Sequence, residues 1–264
     1  MTTAAAAHPA FPAELRRWRA TRRLSQLELA ERAGTTQRHL SFMESGRSHP
    51  GAPIVLRLAE SLELGLRERN ALLLAAGYAP RYPESELAGS LLRPVREALD
   101  RILEGHLPYP ALVARPHGEL LASNPAFALL TEDVDAGLLR PPVNLYRLAL
   151  HPDGMARRVL NLADWGRHIT ENLTARARRH QDPALAELAA ELAGYLPAEP
   201  AAQDPLGFAV PLRLRCPEGE LRLLTTLTTF ATAVDVTVAE LHLEAFLPAD
   251  ERSAAILRAR AAAW

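Results

Sequence analysis

The sequence predicts an α+β protein in which a small all-α region is followed by a larger region built on an antiparallel sheet. The chain has 264 residues, more than the ~100–150 residues of a typical single domain. Residues 12–79 carry apolar side chains at helical spacing with repeated start and stop signals, whereas strand-like alternation comes only after residue 110. The expected segments are a disordered tail at 1–11, a helical region at 12–79, a linker at 80–90 and a sheet region at 91–264.

Charge is distributed unevenly along the chain. The formal net charge is −1, yet residues 1–83 hold twelve arginines against seven glutamates, and the remaining chain holds eighteen arginines against twenty-four acidic residues. A basic N-terminal region suits a polyanionic partner such as double-stranded DNA. The chain has no lysine, which excludes a lysine-containing P-loop, a Schiff-base lysine and other lysine-dependent catalysis.

Other features of the composition exclude further classes. Cys216 is the only cysteine, so it forms no internal disulfide and no thiolate metal site by itself. No apolar run approaches the ~18 residues of a membrane span, and the N-terminus lacks a signal-peptide layout. We therefore expect a cytoplasmic protein without a membrane partner. No nucleophile elbow, dinucleotide fingerprint or His-Glu-x-x-His motif occurs, so we expect neither an enzyme, nor a metal site, nor a required cofactor.

Start and stop signals place five helices in the N-terminal region. The first helix spans Glu14–Arg23, with Trp18 as its core anchor. Ser25 begins the second through a capping box with Glu28, and Gly34 ends it in the left-handed conformation. The remaining helices are Gln37–Glu44, capped by Thr35 or Thr36 and stopped at Gly46, a fourth helix that opens at Pro53, and Leu66–Ala76 before Gly77.

The second and third of these helices carry the pattern of a DNA-reading pair. A glycine turn leads into a short helix with a polar leading edge, the arrangement that places a recognition helix in the major groove. Gln37 suits adenine, Arg38 suits guanine and Phe42 suits a thymine methyl group. Gln26, at a helix N-terminus, and Arg47 are expected to hold phosphates. The residues expected to contact DNA are Gln26, Thr35, Thr36, Gln37, Arg38, Ser41, Phe42 and Arg47.

Signals in the C-terminal region alternate between strands and helices. An amphipathic helix at Leu91–Leu103 can dock on either region or on a second subunit. A helical insert spans 154–196, with a restart signal at Asp182-Pro183. The expected strands are Pro110–Ala114, Glu119–Ser123, Phe208–Leu214, Leu221–Phe230 and Val236–Phe246, and the closing helix is Asp250–Ala263.

Two longer sequence patterns resemble known families. Leu24–Ala30 and Ala33–Arg47 lie within the stretch Leu15–Tyr78, which resembles the helix-turn-helix domain of the XRE family and of Cro- and cI-type phage repressors. The stretch Glu68–Tyr78 and the region from about Leu91 resemble the regulators that carry an MmyB-like ligand-binding domain. Within the C-terminal region the resemblance rests on the motifs Asn144-Leu-Tyr-Arg-Leu148, Asp164-Trp165, Asp204-Pro-Leu-Gly207 and Asp235-Val-Thr-Val-Ala-Glu240. The resemblances imply a lambda-repressor-like five-helix domain followed by a PAS-like sheet with a helical insert.

The PAS-like resemblance implies a pocket between the sheet and the helical insert. Trp165, Arg167 and His168 combine an aromatic ring, a cation and a titratable ring, which suits a carboxylate headgroup and hence a fatty-acid-like or other small apolar or amphipathic ligand. The alternative places Trp165 in the core and leaves Arg167 exposed or paired with Glu171. Candidate ligand-binding residues are Trp165, Arg167, His168, Phe208, Leu223, Leu227 and Phe246.

Three classes of function remain open. The leading one is a sequence-specific transcriptional regulator that binds a palindromic operator as a homodimer, with recognition helices ~34 Å apart, and senses a small-molecule effector. The second is a protein-interaction or scaffold protein whose helix-turn-helix no longer binds DNA and whose second domain only dimerises. Salt-sensitive binding to duplex DNA separates these two. The third is an enzyme, which turnover of a bound compound would indicate. The operator sequence and the choice between repression and activation stay open.

Overall fold

The computed structural model describes residues 10–198 and 209–261, which divide into two compact units. The first unit, here the head, contains the described residues up to Glu86 together with Ala231–Ala239. The second unit, here the body, contains the described residues of Leu87–Phe230 and those from Glu240 onward. The head therefore includes a short segment that the sequence boundaries assign to the sheet region.

The head is a bundle of helices around an apolar core. Its helices before residue 80 are α1 Phe11–Thr21, α2 Gln26–Arg32, α3 Gln37–Glu44, α4 Ala52–Ser61 and α5 Leu66–Ala75. Trp18 on α1 is buried and belongs to the same apolar cluster as Leu29, Leu40, Met43 and Leu58. The predicted helical region and its anchor at Trp18 are confirmed.

Side-chain caps begin α2 and α3 as the sequence predicts. The Ser25 hydroxyl accepts a hydrogen bond from the Glu28 N–H at 3.1 Å, and the Glu28 carboxylate accepts one from the Ser25 N–H at 2.7 Å. Thr36, and not Thr35, caps α3 by accepting from an N–H of its first turn at 3.1 Å. Because these caps satisfy backbone donors that a helix leaves unpaired, they fix where each helix starts.

Two glycines end the same helices. Gly34 has a φ of +62° and Gly46 a φ of +75°, the left-handed region that a residue with a Cβ enters only at a cost. Both predicted stops are confirmed. The turn between α2 and α3 is therefore encoded by one glycine and one threonine cap.

Both ends of the helical region differ from the sequence expectation. Phe11, assigned to the tail, begins α1 and is buried because its side chain joins the head core; residues 1–9 lie outside the described residues. At the other end, the Asn70 side chain accepts hydrogen bonds from the N–H groups of Arg81 and Tyr82, both at 3.0 Å, and donates to the Tyr82 carbonyl at 2.7 Å. The first part of the expected linker is therefore held against α5.

The body is built on a five-stranded antiparallel sheet in the described chain. Its strands are β1 Ala111–Ala114, β2 Leu120–Ser123, β3 Leu212–Cys216, β4 Gly219–Thr229 and β5 His242–Pro248. The strand order is β2-β1-β5-β4-β3. A first hairpin, a helical insert and three later strands were predicted, and the α+β class is confirmed.

The described chain after residue 90 also contains helices, of which the one at Val236–Glu240 belongs mostly to the head. They are α6 Arg93–Gly105, α7 Leu145–Leu150, α8 Leu162–His180, α9 Pro183–Ala193, α10 Val236–Glu240 and α11 Glu251–Ala261, with short 3-10 helices at Pro125–Leu129 and Met155–Arg157. Asp182 caps α9, which confirms the predicted restart. The expectation of continuous helix from residue 154 is wrong, because the Leu160 N–H and the Arg158 carbonyl form backbone hydrogen bonds with β3, each at 2.8 Å.

The strand expected over Val236–Phe246 is wrong in its first half. That half is α10, and β5 begins only at His242. The buried Asp235 carboxylate accepts a hydrogen bond from an N–H of α10 at 3.3 Å and another from the Ser85 N–H at 3.2 Å. Capping by Asp235 therefore outweighs the strand preference of the β-branched residues that follow it.

The two faces of the sheet pack against different helices. One face, here the inner face, carries Leu112, Leu223 and Phe246 and shares an apolar cluster with residues of α7, α8, α9 and α11. The opposite face carries Ala245 and packs against α6 through residues such as Leu99. The helical insert therefore covers only the inner face.

A salt bridge between α7 and α9 gives a prediction about acid stability. Nε and Nη2 of Arg147 each lie 2.7 Å from a Glu191 carboxylate oxygen, and these hydrogen bonds lower the pKa of Glu191 from 4.5 to about 2. A carboxyl whose pKa is lower in the folded state stabilises the fold above its unfolded pKa, and that contribution is lost as the pH falls from 4.5 toward about 2. Arg147→Gln should therefore lower the thermal unfolding midpoint at about pH 6 and have a much smaller effect at about pH 2.

The control for this prediction is Arg140→Gln, which removes the same charge from an exposed position of the body. Its unfolding midpoint should follow the wild-type protein at every pH. If Arg147→Gln lowered the midpoint equally across the acid range, Glu191 would not be the group that responds.

Candidate nucleic-acid interface and candidate ligand site

The first turn of α3 lies at the surface of the head. Thr36, Gln37 and Arg38 are exposed, and Ser41 and Phe42 are partly buried one turn later. The guanidinium carbon of Arg38 lies 5.4 Å from the centre of the Phe42 ring, within the range of a cation–π contact. This contact holds the Arg38 side chain along α3. The structure thus places these expected base-reading side chains at one end of a single helix.

His39 is a residue of α3 that sequence reasoning missed. Its Nδ1 lies 3.0 Å from the Thr35 hydroxyl and its Nε2 lies 3.4 Å from the Ser48 hydroxyl. The imidazole therefore joins the turn before α3 to the loop after it. Thr35 was expected at the DNA interface, but it is partly buried and its hydroxyl contacts this ring. The i, i+4 spacing of Thr35 and His39 was the available sequence signal.

A buried carboxylate connects the first three helices. Glu44, at the end of α3, is 3% exposed. Arg19 on α1 donates to its two oxygens at 2.6 and 3.0 Å, and the Gln26 amide on α2 donates to one of them at 2.7 Å. Hydrogen bonding to Glu44 raises the pKa of Arg19 further above its ordinary value, against the opposing effect of burial. Glu44 therefore fixes how α3 is held against α1 and α2.

The two expected phosphate contacts differ in how their side chains are used. The Gln26 amide nitrogen is bonded to Glu44, so the part of this residue that suits a phosphate is the backbone N–H at the start of α2. The Arg47 side chain is exposed beyond α3, while its backbone N–H donates to the Phe42 carbonyl at 2.8 Å. Arg47 therefore has a fixed backbone and an available charge.

Two family models match this chain. The model described as "Helix-turn-helix" matches residues 15–69, which contain α2, α3 and the turn between them. The model described as "MmyB-like transcription regulator ligand binding domain" matches residues 95–259, more than half of the chain. The chain belongs to the MmyB-like transcription regulators. A search of curated proteins found no match.

This MmyB-like regulator is therefore a DNA-binding transcription regulator with a ligand-binding domain. Both family resemblances stated from the sequence are confirmed, including the XRE-type character of the helix-turn-helix. The matched ranges end before and begin after the segment at 70–94, so the two functions belong to separate stretches of chain.

The expected headgroup trio is not brought together in the body. Trp165 on α8 is 7% exposed and lies in the inner-face apolar cluster. Arg167 and His168 are exposed, and the His168 Nε2 lies 3.0 Å from the Asn172 amide on the same helix. Arg167, two positions along the helix, is turned about 200° away from Trp165, whereas His168, three positions along, is turned by only about 60° and is directed to the surface. The alternative interpretation, Trp165 in the core with Arg167 exposed, therefore describes the structure.

The expected apolar lining residues lie in three different environments. Leu223 is fully buried and Phe246 is 7% exposed, both on the inner face. Leu227 is 63% exposed, because β3 pairs only with the first half of β4 and ends opposite Leu223. Phe208 lies outside the described residues. Of these expected lining residues, Phe246 therefore lies in the core of the body and Leu227 lies at its surface.

A polar group beneath the first hairpin was missed by sequence reasoning. Arg176 on α8 donates to the Tyr146 hydroxyl at 2.9 Å and to the Pro116 carbonyl at 2.8 Å. Burial raises the pKa of Tyr146, the Arg176 charge lowers it, and the Glu244 charge raises it again. A Cβ at Gly118, whose φ is +84°, would lie 2.5 Å from the Tyr146 ring. The hairpin turn therefore needs glycine both for its backbone and for this ring.

Neither a membrane-crossing helix nor a metal-binding cluster occurs in the described part of the chain. Of the helices within residues 10–198 and 209–261, none has the combined length and apolar character of a membrane-crossing helix. In the same residues, no three side chains among His, Cys, Asp and Glu are grouped to hold a metal ion.

Proposed function

We propose that this regulator binds a palindromic operator as a homodimer, and that a small apolar or amphipathic molecule bound in the body changes its affinity for that operator. The observation that carries the DNA part is the exposed first turn of α3, held from behind by Glu44. A helix end with exposed side chains and a fixed orientation is what major-groove reading requires.

The residues of the head divide into base readers and phosphate contacts. Gln37 and Arg38 read base edges, and Ser41 and Phe42 follow one turn later, with Phe42 placed for a thymine methyl group. The α2 N-terminus at Gln26 and the Arg47 guanidinium bind phosphates on either side. Thr36 acts through its cap on α3. Base readers set which sequence is bound, whereas phosphate contacts set affinity for any duplex.

Arg38→Ala tests the reading role. The change should weaken binding to the operator by about 1–3 kcal/mol, because one base contact is lost, and should barely change binding to an unrelated duplex. The measurement is fluorescence anisotropy with both duplexes at matched salt, since phosphate contacts make all affinities depend on salt.

Arg57→Ala is the matched control, since it removes the same charge from an exposed position of α4. It should leave the ratio of operator to unrelated-duplex affinity unchanged. Equal losses on both duplexes for Arg38→Ala would show that Arg38 touches only phosphate, and the assignment of this residue as a base reader would be wrong.

A single α3 can contact only one half-site of an operator, and this is the reason for proposing a dimer. Two copies would place their recognition helices ~34 Å apart in successive major grooves. Inserting about five base pairs between the operator half-sites turns one site to the opposite side of the duplex and should greatly reduce affinity. Unchanged affinity, with one protein per duplex by sedimentation, would favour a monomer.

The ligand proposal starts from the inner face of the sheet. That face is apolar at Phe246 and Leu227, and Tyr146 and Arg176 form a polar group beside it, a combination that suits an amphipathic molecule with a fatty-acid-like apolar chain. The test is mass spectrometry of an organic extract of freshly purified protein. A stoichiometric amphipathic compound would support the proposal, and a bound compound without an apolar part would contradict it.

A further inference from the structure

Two polar residues lie on the inner face of β5. His242 and Glu244 alternate with Leu243 and Ala245 of the opposite face and share their own face with Phe246. The His242 side chain is 8% exposed and that of Glu244 is 19% exposed, and the closest approach between them is 3.6 Å, from Nε2 to Oε1. Within the part of the chain that the structure describes, neither side chain has a hydrogen-bond partner. Buried polar groups are nearly always hydrogen-bonded, so this pair requires an explanation.

The Glu244 side chain has a buried apolar neighbour on one adjacent strand and exposed neighbours on the other. In the sheet register Glu244 lies between the buried Leu112 of β1 and the exposed Leu227 of β4. Thr225 and Thr229, on the same face of β4, are also exposed. The partly buried Glu244 carboxylate therefore lies next to a part of the inner face that the described side chains leave uncovered.

The donors of one charged side chain in this region are directed to other groups. Arg176, whose charge acts on Tyr146 together with that of Glu244, donates from two nitrogens to the Tyr146 hydroxyl and the Pro116 carbonyl. An ionised Glu244 only accepts hydrogen bonds, whereas a neutral imidazole accepts at one nitrogen and donates at the other. The unmet need of Glu244 is therefore for donors, and a group such as a hydroxyl can donate to Glu244 and accept from His242.

We propose that Glu244 and His242 bind the polar end of the body's ligand, and that this end is a hydrogen-bond donor, a hydroxyl or an amine, whose apolar part lies along Phe246 and Leu227. The inference rests on the proposed ligand-binding function of the body and names the chemistry of the ligand. An ionised carboxylate end is disfavoured here, because it would add a like charge beside Glu244 and bring no donor.

The test titrates the full-length protein with dodecan-1-ol, dodecylamine and dodecanoate below their micelle concentrations, using calorimetry. The alcohol and the amine should bind roughly tenfold or more tightly than dodecanoate, as expected for hydrogen bonds to a charged acceptor. Glu244→Gln should weaken the amine roughly tenfold and reduce its advantage over dodecanoate. Glu171→Gln, at an exposed position of α8, is the control and should leave all three affinities unchanged.

A second variant keeps the proposal testable if Glu244→Gln does not fold. Leu227→Ser changes an exposed side chain and should weaken the three probes by the same factor, because it contacts only their apolar part. Tightest binding of dodecanoate, unaffected by Glu244→Gln, would overturn the donor assignment while leaving ligand binding by the body intact. Binding of none of the probes by protein that still binds its operator would overturn both this inference and the proposed class of ligand.

Discussion

Glu44→Gln is expected to destabilise the head by about 3 kcal/mol, the low end of the cost of breaking a buried ion pair, because Arg19 remains 20% exposed. Glutamine keeps one acceptor oxygen but puts an NH2 donor in place of the other, opposite the donors of Arg19 and Gln26. The junction of α1, α2 and α3 would therefore lose one acceptor and its negative charge. Operator binding should weaken even though Glu44 is buried and does not itself contact DNA. Urea unfolding and operator affinity of the same preparation measure the two effects.

Glu31→Gln separates this effect from a change in charge. Glu31 lies exposed on α2, so its substitution removes the same negative charge from the head without touching the Glu44 network. It should preserve stability and, if anything, strengthen DNA binding by reducing repulsion from phosphates. If Glu44→Gln also left the operator affinity unchanged, the orientation of α3 would not depend on Glu44.

The elements of the head were predictable from sequence because their signals are local. The Ser25 capping box, the Thr36 cap and the left-handed glycine at position 34 each act within a few residues of the helix they define. The Glu44 network was not predictable in this way. Its partners Arg19 and Gln26 lie 25 and 18 residues away, so the contact exists only once three helices have packed.

The body shows the same distinction between local and distant information. Strand alternation correctly predicted the hairpin and the later strands, but not which part of β4 is covered, since that depends on where β3 ends. The sequence from Val236 predicts a strand, but the structure forms α10 there. The Asp235 carboxylate caps this helix and also accepts a hydrogen bond from the distant Ser85 N–H. The trio at Trp165 is different, because helical geometry alone separates Trp165 from Arg167. That expectation gave sequence adjacency more weight than helix periodicity.

Arg158→Met is expected to destabilise the body by about 3–5 kcal/mol, because it leaves several buried or partly buried acceptors without their donor. The Arg158 side chain is 10% exposed. Its guanidinium donates to the carbonyls of Leu129, Glu132 and Arg215 at 3.0–3.1 Å, which joins the 3-10 helix after β2 to the edge strand β3. It also donates to the partly exposed Glu132 carboxylate at 3.3 Å. Methionine fills a similar volume but supplies no donor, so the loss measures the hydrogen bonds rather than a cavity.

Arg157→Met provides a control one residue away. Arg157 is 58% exposed and bonds to the Pro152 carbonyl and the neighbouring Asp153 carboxylate, contacts of the kind that contribute little at a surface. It should change the free energy of unfolding by less than about 1 kcal/mol. Two adjacent arginines with the same charge would then differ several-fold in their effect on stability, because only Arg158 is the donor to buried backbone. Equal effects would mean that charge, and not these three hydrogen bonds, determines the contribution of this segment to the body.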